Sequence, residues 1–321
     1  MSIFKIDLII EKNIVLETNI DNVWENIIDT DKKAVWSPWL ILEKNCKQTT
    51  KWRKATVWYL ETWDWTVVWS GEQIITDIVK NEHINYDLNF LKPFKSSNKA
   101  SFVLEKLSDT STKLTWKMQG TLPIFLFFLK KMMTVMVWKD FERGLSMLKS
   151  ILEKWKLDTS TEFSWVDTLE KKYYIWTKTE CVIKDIWNKI SSSFTSLINI
   201  TKEHNLGPLS YFTIYNKADI VNDKFEIEAC IEISENDFKN FKLPIVSTYF
   251  LWFVDKMKVA VTTHYGSYDF IENSWTWAYM YLKPNKLKKN KNIPAIELYE
   301  KWFVDNIDES KYVTHIIIPI K

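Results

Sequence analysis

One acidic side chain stands among tyrosines in the last third of the chain. Alternate side chains of an extended strand point to opposite faces. A strand over Ala295–Glu300 therefore sends Ile296 and Leu298 to one side and Glu297 and Tyr299 to the other. A strand over Ser210–Asn216 separates Phe212 and Ile214 from Tyr211, Thr213 and Tyr215. One over Lys224–Ile233 separates Phe225, Ile227, Ile231 and Ile233 from Glu228 and Cys230. The Ile- and Phe-bearing sides are expected to pack against helices, which leaves Glu297, Tyr299, Tyr211, Tyr215 and Glu228 for a groove. A carboxylate beside aromatic rings suits a cationic aromatic molecule, because the ring quadrupole attracts cations and the carboxylate neutralises them. The plainer alternative is a solvated strand glutamate with tyrosines packed on their neighbours.

His264 ends a strand just before Tyr265 and Gly266. It has the chemistry to hydrogen-bond a ligand or act as a base. No Ser or Cys is linked to it by spacing, so a turn-capping or packed histidine is the simpler reading. His315 alternates with isoleucines and reads as structural. With four histidines, no His-x-x-x-His and no carboxylate cluster, no metal site is expected. Gly-x-Gly-x-x-Gly, Walker-type loops and Gly-x-Ser-x-Gly elbows are missing too. No catalytic residue and no cofactor is expected. An enzyme remains the alternative, with Glu297 as general acid or base, and His264 beside it, if burial raises its pKa.

Composition bounds the rest. The chain has 321 residues, 46% hydrophobic and 26% charged, enough for two domains with full cores. A net charge of +2 favours neither nucleic acid nor an anionic membrane as partner. The run Lys286, Lys288, Lys289 and Lys291 reads as a solvated loop. Cys46, Cys181 and Cys230 lie far apart with no Cys-x-x-Cys, so neither disulfide framework nor zinc site is implied. Met1–Asp7 has no apolar signal region. The most apolar stretch, Leu122–Trp138, is broken by Lys130 and Lys131 and falls short of the roughly 20 residues a bilayer span needs. It is expected to line a cavity. A cytoplasmic location follows from these readings, with a small molecule as partner and any protein partner unknown.

The chain has 18 Trp and 5 Gly, whereas glycine makes up about 7% of average proteins. Several tryptophans stand where chain geometry asks for glycine. Asp64-Trp65 falls between two β-rich runs, where Asp-Gly is the favoured hairpin turn because both central residues need positive φ. We read many of these tryptophans as UGA codons that the source organism translates as glycine. The candidates are Trp52, Trp58, Trp63, Trp65, Trp69, Trp138, Trp155, Trp165, Trp176, Trp187, Trp277 and Trp302. Trp24, Trp36, Trp39, Trp116 and Trp275 read as genuine.

The elements follow an α+β order. A strand over Ile3–Thr18 leads into a short helix, Val23–Ile28, capped from Asn19–Asn22. Strands are expected at Thr56–Glu61, Thr66–Ile78, His83–Phe90, Ala100–Ser108 and Lys113–Gln119, with turns at Ser96–Asn98 and Ser108–Asp109. The period becomes helical from Leu122 to about Lys156, with Phe141, Leu145, Leu148 and Leu152 on one face. Asp158–Glu162 reads as a polar linker, giving domains at residues 1–157 and 163–321. The second domain repeats strand–helix–strand–strand: Lys172–Thr179, Ile183–His204, Ser210–Asn216 and Lys224–Ile233, then Lys256–His264, Phe270–Leu282, Ala295–Glu300 and Tyr312–Ile320. Glu297 is matched by Thr213 in this duplication, so the carboxylate occurs once.

Val23-Trp24, Trp36-Ser-Pro-Trp39, Ser70-Gly71-Glu72, Leu114-Thr-Trp116 and Lys139-Asp-Phe-Glu-Arg-Gly-Leu145 resemble the START/polyketide-cyclase (SRPBCC) superfamily. The resemblance implies a helix-grip fold, a curved antiparallel sheet around a long C-terminal helix, with a cavity for apolar ligands. The second half is similar to the GyrI-like (AraC effector-binding) family of small-molecule-binding domains. It carries Val259-Ala-Val-Thr-Thr-His264-Tyr-Gly266-Ser-Tyr268, Ser274-Trp275, Pro294-Ala-Ile-Glu297-Leu-Tyr299 and Thr314-His-Ile-Ile-Ile-Pro319. That resemblance implies a ligand groove between two pseudo-symmetric β-α-β-β units. Tyrosines would flank Glu297 there, with His264, Tyr268, Tyr211, Tyr215, Tyr299 and Glu228 as further ligand contacts. Together these imply a sensor or sequestering module for a hydrophobic or cationic molecule, of the kind found as an effector domain of transcription regulators, but without its own DNA-binding segment. Action on a larger protein through its surface is a further alternative.

Overall fold

The computed structural model describes residues 5–42, 47–64, 70–92, 95–243 and 247–321. Cys46, Trp65 of the expected Asp64-Trp65 turn, Trp69 and the first residues of the Thr66–Ile78 strand lie outside them. Contacts divide the chain into two compact units, Met1–Leu157 and Asp158–Lys321.

The first unit opens on β1 (Lys5–Leu16), α1 (Ile20–Ile28) and α2 (Thr30–Lys33). Asn19 caps α1, its side chain accepting from the Asn22 N–H. Then come β2 (Lys47–Lys51), β3 (Leu60–Asp64), β4 (Ser70–Val79), β5 (His83–Lys92), β6 (Ser96–Lys106), β7 (Thr112–Pro123) and the long helix α3 (Lys130–Lys154). The strands form one antiparallel seven-stranded sheet ordered β1-β7-β6-β5-β4-β3-β2. Ser96–Asn98, expected as a turn, is instead the start of β6, where Asn98 pairs with Leu88. β2 has no sequence-based counterpart, because Lys47–Lys51 carries no apolar alternation. The α3 face made of Phe141, Leu145, Leu148 and Leu152 is buried. Phe141 stacks on Trp116 of β7 at 4.2 Å. Trp36 and Trp39 pack edge-on against the same Trp116, and their indole N–H groups bond Asn26 O and Asp140 Oδ2.

Leu122–Trp138 behaves differently from expectation. Ile124–Leu129 forms a two-turn 3-10 helix ahead of α3 and leaves Phe125, Phe127 and Phe128 about two-thirds exposed, at 67%, 65% and 64%. A tight threefold helix spreads consecutive side chains around its axis, so an unbroken apolar run cannot turn them all inward.

The second unit contains β8 (Thr159–Leu169), β9 (Lys172–Cys181), α4 (Ile186–Glu203), β10 (Ser210–Asp219), β11 (Lys224–Ile233), α5 (Glu235–Asn240), β12 (Phe250–Val254), β13 (Met257–Gly266), α6 (Ile271–Leu282), β14 (Ala295–Lys301) and β15 (Val313–Pro319). Its antiparallel eight-stranded sheet is ordered β12-β9-β11-β10-β14-β15-β13-β8. The two repeats meet where β10 pairs with β14, and Thr213 lies directly opposite Glu297. Thr159–Glu162, expected as linker, belongs to β8 and pairs along β13. Alternation there is weak, and the partner strand decides. At the end of that ladder Gly266 takes φ +100, and a Cβ there would meet Asp158 O at 1.8 Å.

One face of this sheet is covered by α4 and α6, the other by neither. Tyr299, Ala229, Ile231 and Ile233 pack with Ile190, Phe194 and Leu197 of α4. Phe212, Ile214, Cys230 and Ile296 form a separate cluster with Val259, Val261 and Ile317. The expected facing is therefore inverted for β10 and β14: Ile296, Phe212 and Ile214 turn away from the helices, and Glu297 and the tyrosines turn toward them. Alternation groups residues by face, but it does not say which face the helices cover.

Candidate functional site

Glu297 sits at the centre of the second sheet, under the helical layer, and is fully buried. Tyr215 Oη donates to its Oε2 at 2.7 Å, and the Trp275 indole N–H from α6 donates to Oε1 at 2.5 Å. The Tyr299 hydroxyl lies 3.0 Å from Oε2 and 2.9 Å from Thr213 Oγ1. It has one proton to give, so both contacts are satisfied when it donates to the carboxylate and Thr213 donates back. All three groups holding the carboxylate are neutral. Burial raises the Glu297 carboxyl above its ordinary value of 4.5, and the three hydrogen bonds only partly oppose the rise. Burial beside Glu297 in turn pushes the Tyr215 and Tyr299 hydroxyls well above the usual phenol range. They stay protonated and serve as donors.

Rings wall this carboxylate. Tyr215 and Trp275 meet edge to face at 5.1 Å. Trp302 stacks on Tyr299 at 4.7 Å, and Tyr211 leans on Trp302 at 5.0 Å. Trp187 of α4 stacks on Tyr268 at 4.2 Å, and Tyr268 reaches Tyr299 edge-on at 6.3 Å. Tyr268 stands on the single turn Tyr268–Phe270 between β13 and α6, outside the ladder. Its buried hydroxyl and the buried Thr314 Oγ1 make no hydrogen bond of ordinary geometry, although Thr314 still pulls down the Tyr268 pKa, which burial raises overall.

Of the sequence-derived site residues, Glu297, Tyr299, Tyr215, Tyr211 and Tyr268 come together here. Glu228 does not. Register pairs it with Ile214, on the face away from α4 and α6, where it accepts from Asn216 Nδ2 at 2.6 Å. Paired residues share a face, and β10 leaves no choice once Tyr215 is paired with Ile227. His264 is buried on the helix side but is spoken for: Nδ1 contacts Ser274 Oγ and Nε2 contacts Ser267 O, both at 2.9 Å. Burial lowers its pKa, and a neutral ring donating from Nε2 fits both partners. It ties the β13–α6 turn and forms no pair with Glu297. Trp275 is the residue that sequence reasoning left without a role, although Ser274-Trp275 carries part of the resemblance. An indole N–H can only donate, which suits it to a buried carboxylate once α6 lies over β14.

The family model of the GyrI-like small molecule binding domain matches residues 168–321, so this half is a GyrI-like domain. No curated protein matches the chain. Among solved structures, the chain is similar to EcmrR in the cryo-EM structure of an EcmrR–DNA complex, at 12% identity over 61% of this chain and 72% of that one, with a TM-score of 0.42. It is similar to the EcmrR C-terminal domain at 13% identity over 49% and 96%, TM-score 0.38. It is similar to the Aha1 dimer from Colwellia psychrerythraea at 14% identity over 46% and 96%, TM-score 0.35.

Proposed function

We infer that the GyrI-like domain at residues 168–321 binds an apolar aromatic cation over Glu297, and that the protein is a sensor or sequestering module. The observation that carries this reading is a carboxylate with no exposure, held by neutral donors only and walled by rings. A buried ionised carboxylate without a counter-charge is costly. A cationic ligand supplies that charge, and the rings around it add cation–π attraction. Entry requires a ring to swing aside. Tyr268 is suited to this, since it sits on a short turn and its hydroxyl makes no hydrogen bond of ordinary geometry among the described residues.

The reading extends to the first unit. Its sheet and α3 support a helix-grip fold of the SRPBCC kind, as the residues from Val23-Trp24 to Leu145 imply. No catalytic role is assigned to either unit. Among the described residues no helix is long and apolar enough to cross a membrane.

Titrating the full chain with tetraphenylphosphonium in a calorimeter tests the ligand class. The cation is expected to bind, and its affinity to rise with pH and then level off. Only ionised Glu297 attracts it, and that carboxyl is raised above 4.5, so affinity is lost as pH falls through the raised value. A flat pH profile, or equal affinity for a neutral tetraphenyl compound, contradicts the reading.

A further inference from the structure

The first unit leaves an apolar segment in water. The helix at Ile124–Leu129 turns once every three residues, so side chains at i and i+3 eclipse and the helix has three faces. Leu126 and Leu129 share one face and are half-buried, and the helix lies beside β1, β7 and the start of α3. Ile124 with Phe127, and Phe125 with Phe128, make the other two faces, and all four side chains are exposed. Phe127 and Phe128 meet edge to face at 6.0 Å. Met132 and Met136, one turn apart on α3, are exposed as well and carry the apolar surface on. Single exposed apolar residues are ordinary, but a contiguous group marks a surface that another body covers.

The charge beside this patch is positive. Residues 110–139 contain no Asp or Glu and carry Lys113, Lys117, Lys130, Lys131 and Lys139. Lys113, Lys117 and Lys139 are paired with Glu105, Glu11 and Glu142. Lys130 and Lys131 follow the last leucine directly, and both are exposed. Across the ladder Lys5 faces Pro123 and Asp7 faces Thr121, so those two offset each other. Such a surface does not suit every partner. A groove on another protein takes a helix by one stripe of anchors at i, i+3, i+4 and i+7, whereas here two faces of three are apolar and point apart. A twofold contact with a second copy would set Lys130 and Lys131 against their own counterparts. A bilayer interface has no fixed shape and takes rings from several directions, and anionic lipids supply the opposite charge.

We propose that this helix docks the first unit on an anionic lipid surface, with Phe125, Phe127 and Phe128 in the interface and Lys130 and Lys131 at the headgroups. The helix lies on the membrane and does not span it, since 6 residues fall far below the roughly 20 that a span needs. A net charge of only +2 is no obstacle. Attraction to a charged surface is set by the groups within about 10 Å of it, the screening length of dilute salt, and those groups are the two lysines.

Flotation of the full chain with lipid vesicles tests this. The protein is expected to float with vesicles of equal parts phosphatidylserine and phosphatidylcholine, and to stay behind with phosphatidylcholine alone. Lys130→Glu should weaken the binding about tenfold, and added salt should weaken it further. Phe125→Ser, Phe127→Ser and Phe128→Ser combined should weaken it by about tenfold or more. That variant should melt close to the parent, because the three rings are exposed. Glu297→Gln should float as the parent does, which keeps this contact separate from ligand binding in the second unit. No flotation with the anionic vesicles overturns the proposal, as does equal flotation of the serine variant. So does a parent that sediments as a dimer without lipid while the serine variant is a monomer, which would assign the patch to a second copy.

Discussion

Glu297→Gln is expected to weaken tetraphenylphosphonium binding about a hundredfold, the scale for removing one member of a buried charge pair, and at the same time to raise the melting temperature of the ligand-free protein at neutral pH. The two effects have one origin. Glu297 is buried, its partners are neutral, and its carboxyl is raised above 4.5. A group whose folded pKa is raised favours the folded state when protonated. That contribution is fully present below pH 4.5 and is lost as pH rises through the folded value. Above 4.5 the empty protein therefore loses that contribution, and once the carboxyl ionises, a bound cation relieves the cost of its buried charge. Glutamine removes the charge and keeps the bonds. Its carbonyl can accept from the Trp275 N–H, which only donates, and its NH₂ can face the Tyr215 and Tyr299 hydroxyls, which turn to accept. Thermal melts across the acid-to-neutral range should show the parent losing stability toward neutrality relative to the variant. A variant that melts lower at every pH would mean the carboxylate is a structural linchpin rather than a poised ligand group.

Much of this site was legible because strand period is a strict rule. Glu297 and Tyr299 share a face, and so do Tyr211, Thr213 and Tyr215. The duplication placed Thr213 opposite the carboxylate, and the ladder pairs them directly. What alternation cannot give is the sign of the face, which depends on where α4 and α6 come to lie. Glu228 fell on the wrong side for that reason: β11 was phased by its own isoleucines, without the constraint that Tyr215 pairs with Ile227. Trp275 was beyond reach because its role depends on the height of a helix above a strand. The exposed rings of the first unit were hidden more deeply. An unbroken apolar run reads as buried, and only a period of three residues shows that Leu126 and Leu129 turn inward while the phenylalanines do not.

Replacing Trp52, Trp58 and Trp155 together by glycine is expected to stabilise the first unit by about 2 kcal/mol, a rise of roughly 5 °C in melting temperature. These three residues take φ of 72, 73 and 62, the left-handed region where a side chain beyond Asn or Asp is strained. The other left-handed residues include Asn81, Asn205, Asp223 and Asn306, types that tolerate it. Trp155 follows α3 as its C-cap, its N–H bonded to Ile151 O, where helices most often end on glycine. The rings contribute little in return, being 78%, 70% and 84% exposed. Relief of about 1 kcal/mol per site exceeds the part taken back by the greater freedom of glycine in the unfolded chain. Not every candidate for recoding shares this geometry. Trp302 has an extended backbone at φ −160, and Trp187 lies within α4, and both rings stack on tyrosines near Glu297. There the backbone makes no demand for glycine, and the same exchange would remove packed surface from the core. If UGA is read as glycine in the source organism, peptide masses of the native protein should show glycine at 52, 58 and 155. Tryptophan at all three, or a triple variant that melts lower, would leave their strained backbone without this explanation.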